Sequence, residues 1–146
     1  MNTQRPETTK PEKSVRLIRR TEVIGRNTGG KMEHEQTLER LIPTVILPDG
    51  YRGKILLVLI IRGETSMVAL RSGDLWHREI LRNTRAEMMS IGLTDVRVEE
   101  IGGAYLRFEA DGSIRIWGGS DEFGACDLDY AAELVRAARP GCSVVI

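Results

Sequence analysis

The chain has 146 residues, 29% charged and 41% hydrophobic, with 21 basic and 21 acidic side chains in formal balance. That composition describes a globular domain with a real core, and one domain fits the length. A zero net charge argues against a protein whose main task is to coat nucleic acid or an anionic membrane. The balance conceals an asymmetry: residues 1–40 hold nine Lys/Arg against six Asp/Glu, and residues 41–146 hold twelve against fifteen.

Residues 1–14 are polar, contain Pro6 and Pro11, and bury too little apolar surface to offset chain entropy, so disorder is expected. No apolar segment follows the N-terminal charges. A secretory signal is therefore not read, and a cytoplasmic protein is expected. In residues 15–40, Val15, Leu17, Ile18, Val23 and Ile24 suit a short strand or helical turn, while Arg16, Arg19, Arg20 and Arg26 make a solvated basic segment that Gly29-Gly30 interrupts. His34 lies among charges and reads as solvent-facing rather than as a metal ligand. Residues 1–40 are thus a polar, partly basic extension, and residues 41–146 are the compact domain.

Leu41 to Leu47 reads as an edge strand, because Pro43 cannot donate to a ladder. Pro48-Asp49-Gly50 is a turn. Lys54 to Arg62 is a strand whose apolar run, Ile55 to Ile61, is too short to span a bilayer and calls for cover on both faces. Gly63-Glu64 reverses it into a strand near Ser66 to Leu70. A helix then opens in Ser72-Gly73-Asp74-Leu75-Trp76-His77-Arg78, capped by Ser72 or Asp74. Its buried face is read from Leu75, Ile80, Leu81, Thr84, Met88 and Ile91, and Gly92 stops it. Glu79, Arg82 and Arg85 form its exposed face. His77 falls in the first turn, where free N–H groups and the helix dipole favour an anion.

A strand follows at Asp95 to Glu99, with Gly102-Gly103 as a bulge or turn. Ala104 to Phe108 and Ile114 to Trp117 alternate about Asp111-Gly112 and read as a hairpin. Trp117-Gly118-Gly119-Ser120-Asp121-Glu122-Phe123-Gly124-Ala125 leads from a strand to a helix, a setting in which backbone N–H groups can cradle an oxyanion, although such a glycine pair is also a common plain turn. A second helix is predicted over Leu128 to Ala138, capped by Asp127, and Cys142 to Ile146 closes the chain as a strand. Cys126 and Cys142 lack metal-ligand spacing and read as reduced thiols. Trp76 and Trp117 read as core or pocket wall. The expected fold is a single α/β domain, a mixed sheet of about six strands flanked by two helices.

From Leu41 onward the sequence resembles the phosphohistidine phosphatase family, also called janus/ocnus. The resemblance is carried by Leu41-Ile42-Pro43 with Val45, by Gly50 and Lys54, by Trp76-His77 with Glu79, Ile80 and Met88, by Gly102-Gly103, and by Ile114, Ile116 and Trp117-Gly118 through Ser120, Phe123 and Gly124. An insertion of a few residues falls between Gly92 and Gly102. The resemblance implies an active-site histidine at His77, a phosphoryl-binding loop at Ser120, Asp121 and Glu122, a substrate-binding lysine at Lys54, and backbone donors from His77 and Arg78. It also implies a hydrolase that uses no metal or other cofactor and acts on a phosphorylated protein or small phosphorylated substrate, as a monomer, with no nucleic-acid or membrane partner.

The implied reaction is hydrolysis of a phosphoramidate, phosphohistidine or phospholysine, with neutral His77 as general base; phosphoryl transfer to His77 itself is the other route. Two departures stand out. The family carries an arginine shortly after the glycine pair, where this chain has Ala104-Tyr105, and the loop carries Asp121-Glu122 in place of apolar or small residues. An acidic rim there would suit a cationic substrate such as a basic peptide. The alternatives are a phosphomonoesterase on a small metabolite and a binding module that kept the cradle without turnover.

Overall fold

The computed structural model describes residues 37–146. The expectations for residues 1–36, including His34 and the basic segment, lie outside the described residues. The described part begins with a short helix, α1 (Leu38–Leu41), whose Leu38 is buried in the core, so packed structure starts slightly before Leu41. The strands are β1 (Arg52–Arg62), β2 (Thr65–Ser72), β3 (Arg97–Phe108), β4 (Ile114–Trp117) and β5 (Val144–Val145). Two longer helices, α2 (His77–Ser90) and α3 (Leu128–Ala138), interrupt them. The sheet order is β2-β1-β3-β4-β5, antiparallel except for the parallel β4–β5 pair. The mixed α/β sheet with two flanking helices is as expected. In place of a sixth strand, the segment before β1 makes one bridge, Val45 to Leu70.

β1 is central and buried from both sides. Ile55, Leu57 and Leu59 face a core shared with Ala131, Ala132 and Val135 of α3. Leu56, Val58 and Ile60 face the opposite core, with Ile80, Leu81 and Met88 of α2. A side chain points to the other face at every residue, so only an unbroken apolar run can serve both helices. Each full burial contributes about 1.5–3 kcal/mol, which makes this strand the main apolar anchor of the domain.

α2 differs from expectation at both ends. Its N-cap is Trp76, with no side-chain cap. Asp74 Oδ1 instead accepts from the N–H groups of Leu75 and Trp76, and Ser72 closes β2 with its hydroxyl donating to the Ile46 carbonyl. That turn leaves Leu75 79% exposed, off the buried face. Ile91 lies beyond the last helical residue and is also exposed, because Gly92 turns at φ 85° and Leu93 takes the core position. Ile80, Leu81, Thr84 and Met88 are buried as expected.

The two strands expected on either side of Gly102-Gly103 are one strand, β3. Its partners on β1 run from Leu56–Gly103 to Val58–Glu100, so three residues of β3 span what two span on β1. The extra residue is a bulge, and Gly102 at φ 106° supplies the left-handed conformation it needs. The Asp111-Gly112 hairpin and the α3 cap form as read, with Asp127 Oδ1 accepting from the Tyr130 N–H. Both cysteines are free; Cys126 is buried. No helix among the described residues is long and apolar enough to cross a membrane.

Candidate active site

Gly103 is the point where the site is assembled. The loop from Trp117 to Cys126 folds back over β3: Gly103 N–H donates to the Gly124 carbonyl at 2.9 Å, and Cys126 N–H donates to the Gly103 carbonyl at 3.0 Å. Inside the loop, the backbones of Ser120 and Gly124 exchange two hydrogen bonds. Ser120 is buried, and its Oγ accepts from the Phe123 N–H at 3.2 Å. This hydroxyl shapes the loop. The backbone N–H groups of Asp121 and Glu122, just beyond it, have no hydrogen-bond partner among the described residues.

His77 enters from the other side, as the first residue of α2. It is 5% exposed, and its Nε2 lies 3.2 Å from the Ala104 carbonyl. A carbonyl oxygen only accepts, so Nε2–H donates this bond, and the form of the ring with a single proton has its lone pair on Nδ1. Nδ1 has no partner among the described residues. A Cβ on residue 103 would meet Nε2 and Cδ2 of His77 at 2.6 Å and Ser120 Cβ at 3.1 Å, so glycine makes room for the imidazole. The first helical N–H groups bond only from Glu79 onward, back to the Trp76 carbonyl. Those of His77 and Arg78 remain open donors at the positive end of a 14-residue helix.

Tyr105 forms a wall of the site. Its ring centroid lies 6.1 Å from that of His77, edge on, and 5.8 Å from that of Trp117, stacked. Lys54 Nζ stands 4.9 Å from the Trp76 centroid and 6.0 Å from that of Tyr105, and it has no acidic partner among the described residues. The lysine and the histidine thus flank the same phenol. The side chains of Arg78 and Glu122 are exposed and pair with each other at 3.4 Å, and Asp121 is exposed as well. What these residues offer an anion is therefore their backbone, with the charge of Glu122 countered by Arg78.

Two contributors are missed by sequence reasoning. Gly103 reads only as a bulge or turn, yet it is the seat of the imidazole; a glycine pair inside an alternating strand is the available signal, since it marks close approach of another group. Tyr105 reads only as a lost cation, and its place between His77 and Trp117 follows from the cross-strand register that pairs it with Trp117 and Lys54. Among the described residues, no group of three or more His, Cys, Asp or Glu side chains is placed to hold a metal ion.

Residues 40–142 match the model of the Janus/Ocnus family (Ocnus). No curated protein matches the chain.

Proposed function

We propose, from the premise that this chain belongs to the Janus/Ocnus family, that it is a phosphatase acting on a phosphorus–nitrogen bond, with His77 as general base. The observation that carries the reading is the buried imidazole of His77, held by the Ala104 carbonyl with Nδ1 free, beside the unpaired N–H groups of His77 and Arg78. Those two donors, with those of Asp121 and Glu122, suit the equatorial oxygens of a phosphoryl group. Lys54 adds charge without a competing carboxylate. Nδ1 takes a proton from water as the water oxygen bonds to phosphorus; the P–N bond breaks in line with its electron pair left on nitrogen, which takes a proton from solvent, so that inorganic phosphate and the free side chain are released. Because that nitrogen leaves readily once protonated, fixed donors and one base are sufficient machinery.

The test is phosphate release from a phosphohistidine peptide, phospholysine and a phosphomonoester, with chelator present, comparing the wild type with His77→Asn. Release from the phosphoramidates that the substitution abolishes supports the proposal. Binding of phosphopeptide without release from any substrate would replace it with a phospho-ligand binding module.

A further inference from the structure

We infer that the uncovered sheet face beside His77 docks an acidic polypeptide segment, so that the substrate is a phosphorylated residue flanked by Asp and Glu. The inference rests on the phosphatase reading for the word substrate, and on the sheet alone for the docking. α2 covers its face of the sheet only around Leu56 to Ile60 and their neighbours. Beyond His77 the same face continues without a helix among the described residues. Register places Lys54, Tyr105 and Trp117 side by side across β1, β3 and β4, and places Arg52, Arg107 and Arg115 side by side in the next row.

The orientation of both rows is set by the alternation. Ile55, Ala104, Leu106, Ile114 and Ile116 point into the α3 core, so their neighbours in sequence point the other way. Contacts between the rows agree: the guanidinium carbons of Arg107 and Arg115 lie 5.4 and 5.7 Å from the Trp117 ring centroid. Arg107 is paired with Glu109 at 3.0 Å, whereas Arg52 and Arg115 have no acidic partner among the described residues. Four of the twelve cations of residues 41–146 thus converge on one face of a segment whose net charge is −3 (twelve minus fifteen). Such a face attracts carboxylates.

The geometry suits a peptide. Neighbouring strands are about 4.8 Å apart, so the arginine row spans roughly 10 Å, between the roughly 7 Å and roughly 13 Å that separate same-face side chains two and four residues apart on an extended segment, a mismatch that flexible arginine and carboxylate side chains absorb. Base stacking is disfavoured, because the Trp117 ring is already engaged by Tyr105 and by both guanidinium groups. The row ends one step from the His77 cradle, since Lys54 and Tyr105 lie between. Of the acidic rim, Glu122 is engaged by Arg78 and Asp121 stands exposed, while the larger surface beside them is positive, which favours an acidic over a basic segment.

The experiment is fluorescence anisotropy with labelled short peptides, unphosphorylated, one rich in Asp and Glu around a central His and one rich in Lys, together with a single-stranded RNA of similar length. The full chain is compared with Arg52→Glu/Arg115→Glu. The expected result is preferential, salt-sensitive binding of the acidic peptide, weakened about tenfold or more in the double variant, with hydrolysis of a small phosphoramidate unchanged. Equal binding of both peptides, no effect of the double variant, or tighter binding of RNA than of the acidic peptide would overturn the inference. These readouts need no turnover, so a protein that binds acidic peptide but releases no phosphate would sink the phosphatase reading and leave the docking face standing.

Discussion

The contact between Gly103 and His77 makes a prediction that stands on geometry alone. In Gly103→Ala the added methyl would sit 2.6 Å from Nε2 and Cδ2 of the imidazole, far inside ordinary contact. The ring must move, with a packing cost of about 1–3 kcal/mol and loss of the Nε2 bond to Ala104 worth about 1 kcal/mol. The summed destabilisation is about 2–4 kcal/mol. With His77→Ala already present, the tightest remaining contact of the methyl is Ser120 Cβ at 3.1 Å, which a shift of a few tenths of an ångström relieves. The same substitution should then cost under about 1 kcal/mol, a coupling of about 1–3 kcal/mol in a double-mutant cycle. Backbone entropy changes caused by replacing glycine cancel between the two backgrounds. Urea unfolding of the four proteins measures the cycle, and equal costs of Gly103→Ala in both backgrounds, within about 0.5 kcal/mol, would refute the reasoning.

Two further perturbations test the frame around the site. Arg71 is buried and donates to both oxygens of Glu87 at 2.8 and 2.9 Å, and also to the Pro43 and Leu70 carbonyls, tying β2 to α2 and to the preceding segment. Glu87→Ala strands that charge and is expected to cost about 3 kcal/mol in urea unfolding, while Arg71→Met/Glu87→Leu should recover much of the loss. Burial, aided by the charge of Asp127, pushes the Cys126 thiol up from 9.0 to about 12. The folded state therefore holds a proton that the unfolded chain releases above pH 9, so this contribution is intact below that pH. Stability should fall between pH 9 and 12 by up to about 1.4 kcal/mol per unit, and a Cys126→Ala chain showing the same decline would disprove the assignment.

Local patterns carried the fold because here they agree with tertiary packing. The apolar run of β1, the Asp111-Gly112 hairpin and the Asp127 cap each state their own geometry, and α3 forms over the predicted residues. The start of α2 was less legible. Ser72 and Asp74 could each cap a helix by type, yet neither does: the Asp74 carboxylate takes the N–H groups of Leu75 and Trp76 and leaves Trp76 as the cap residue. Leu75 and Ile91 fit the helical period but fall outside the helix, where period has no force. His77 itself was readable as a candidate. Its Ala104 partner was not, because a contact across 27 residues depends on the bulge that advances β3 by one position.

That bulge explains why His77, Ser120 and Tyr105, drawn from a helix, a loop and a strand, meet at all. Gly102 and Gly103 are adjacent yet serve different neighbours. A Cβ on Gly102 would strike the Cys126 backbone at 2.6 Å, and one on Gly103 would strike the imidazole. The pair therefore receives the loop on one side and the helix on the other, while the N–H and carbonyl of Gly103 strap the loop down. With that strap in place, the Ser120 loop cannot move away from the start of α2 without breaking two backbone hydrogen bonds at Gly103. The donors of Asp121 and Glu122 are thus held in place by the fold itself, which in the proposed reaction is the condition under which fixed dipoles would stabilise developing charge without reorganisation.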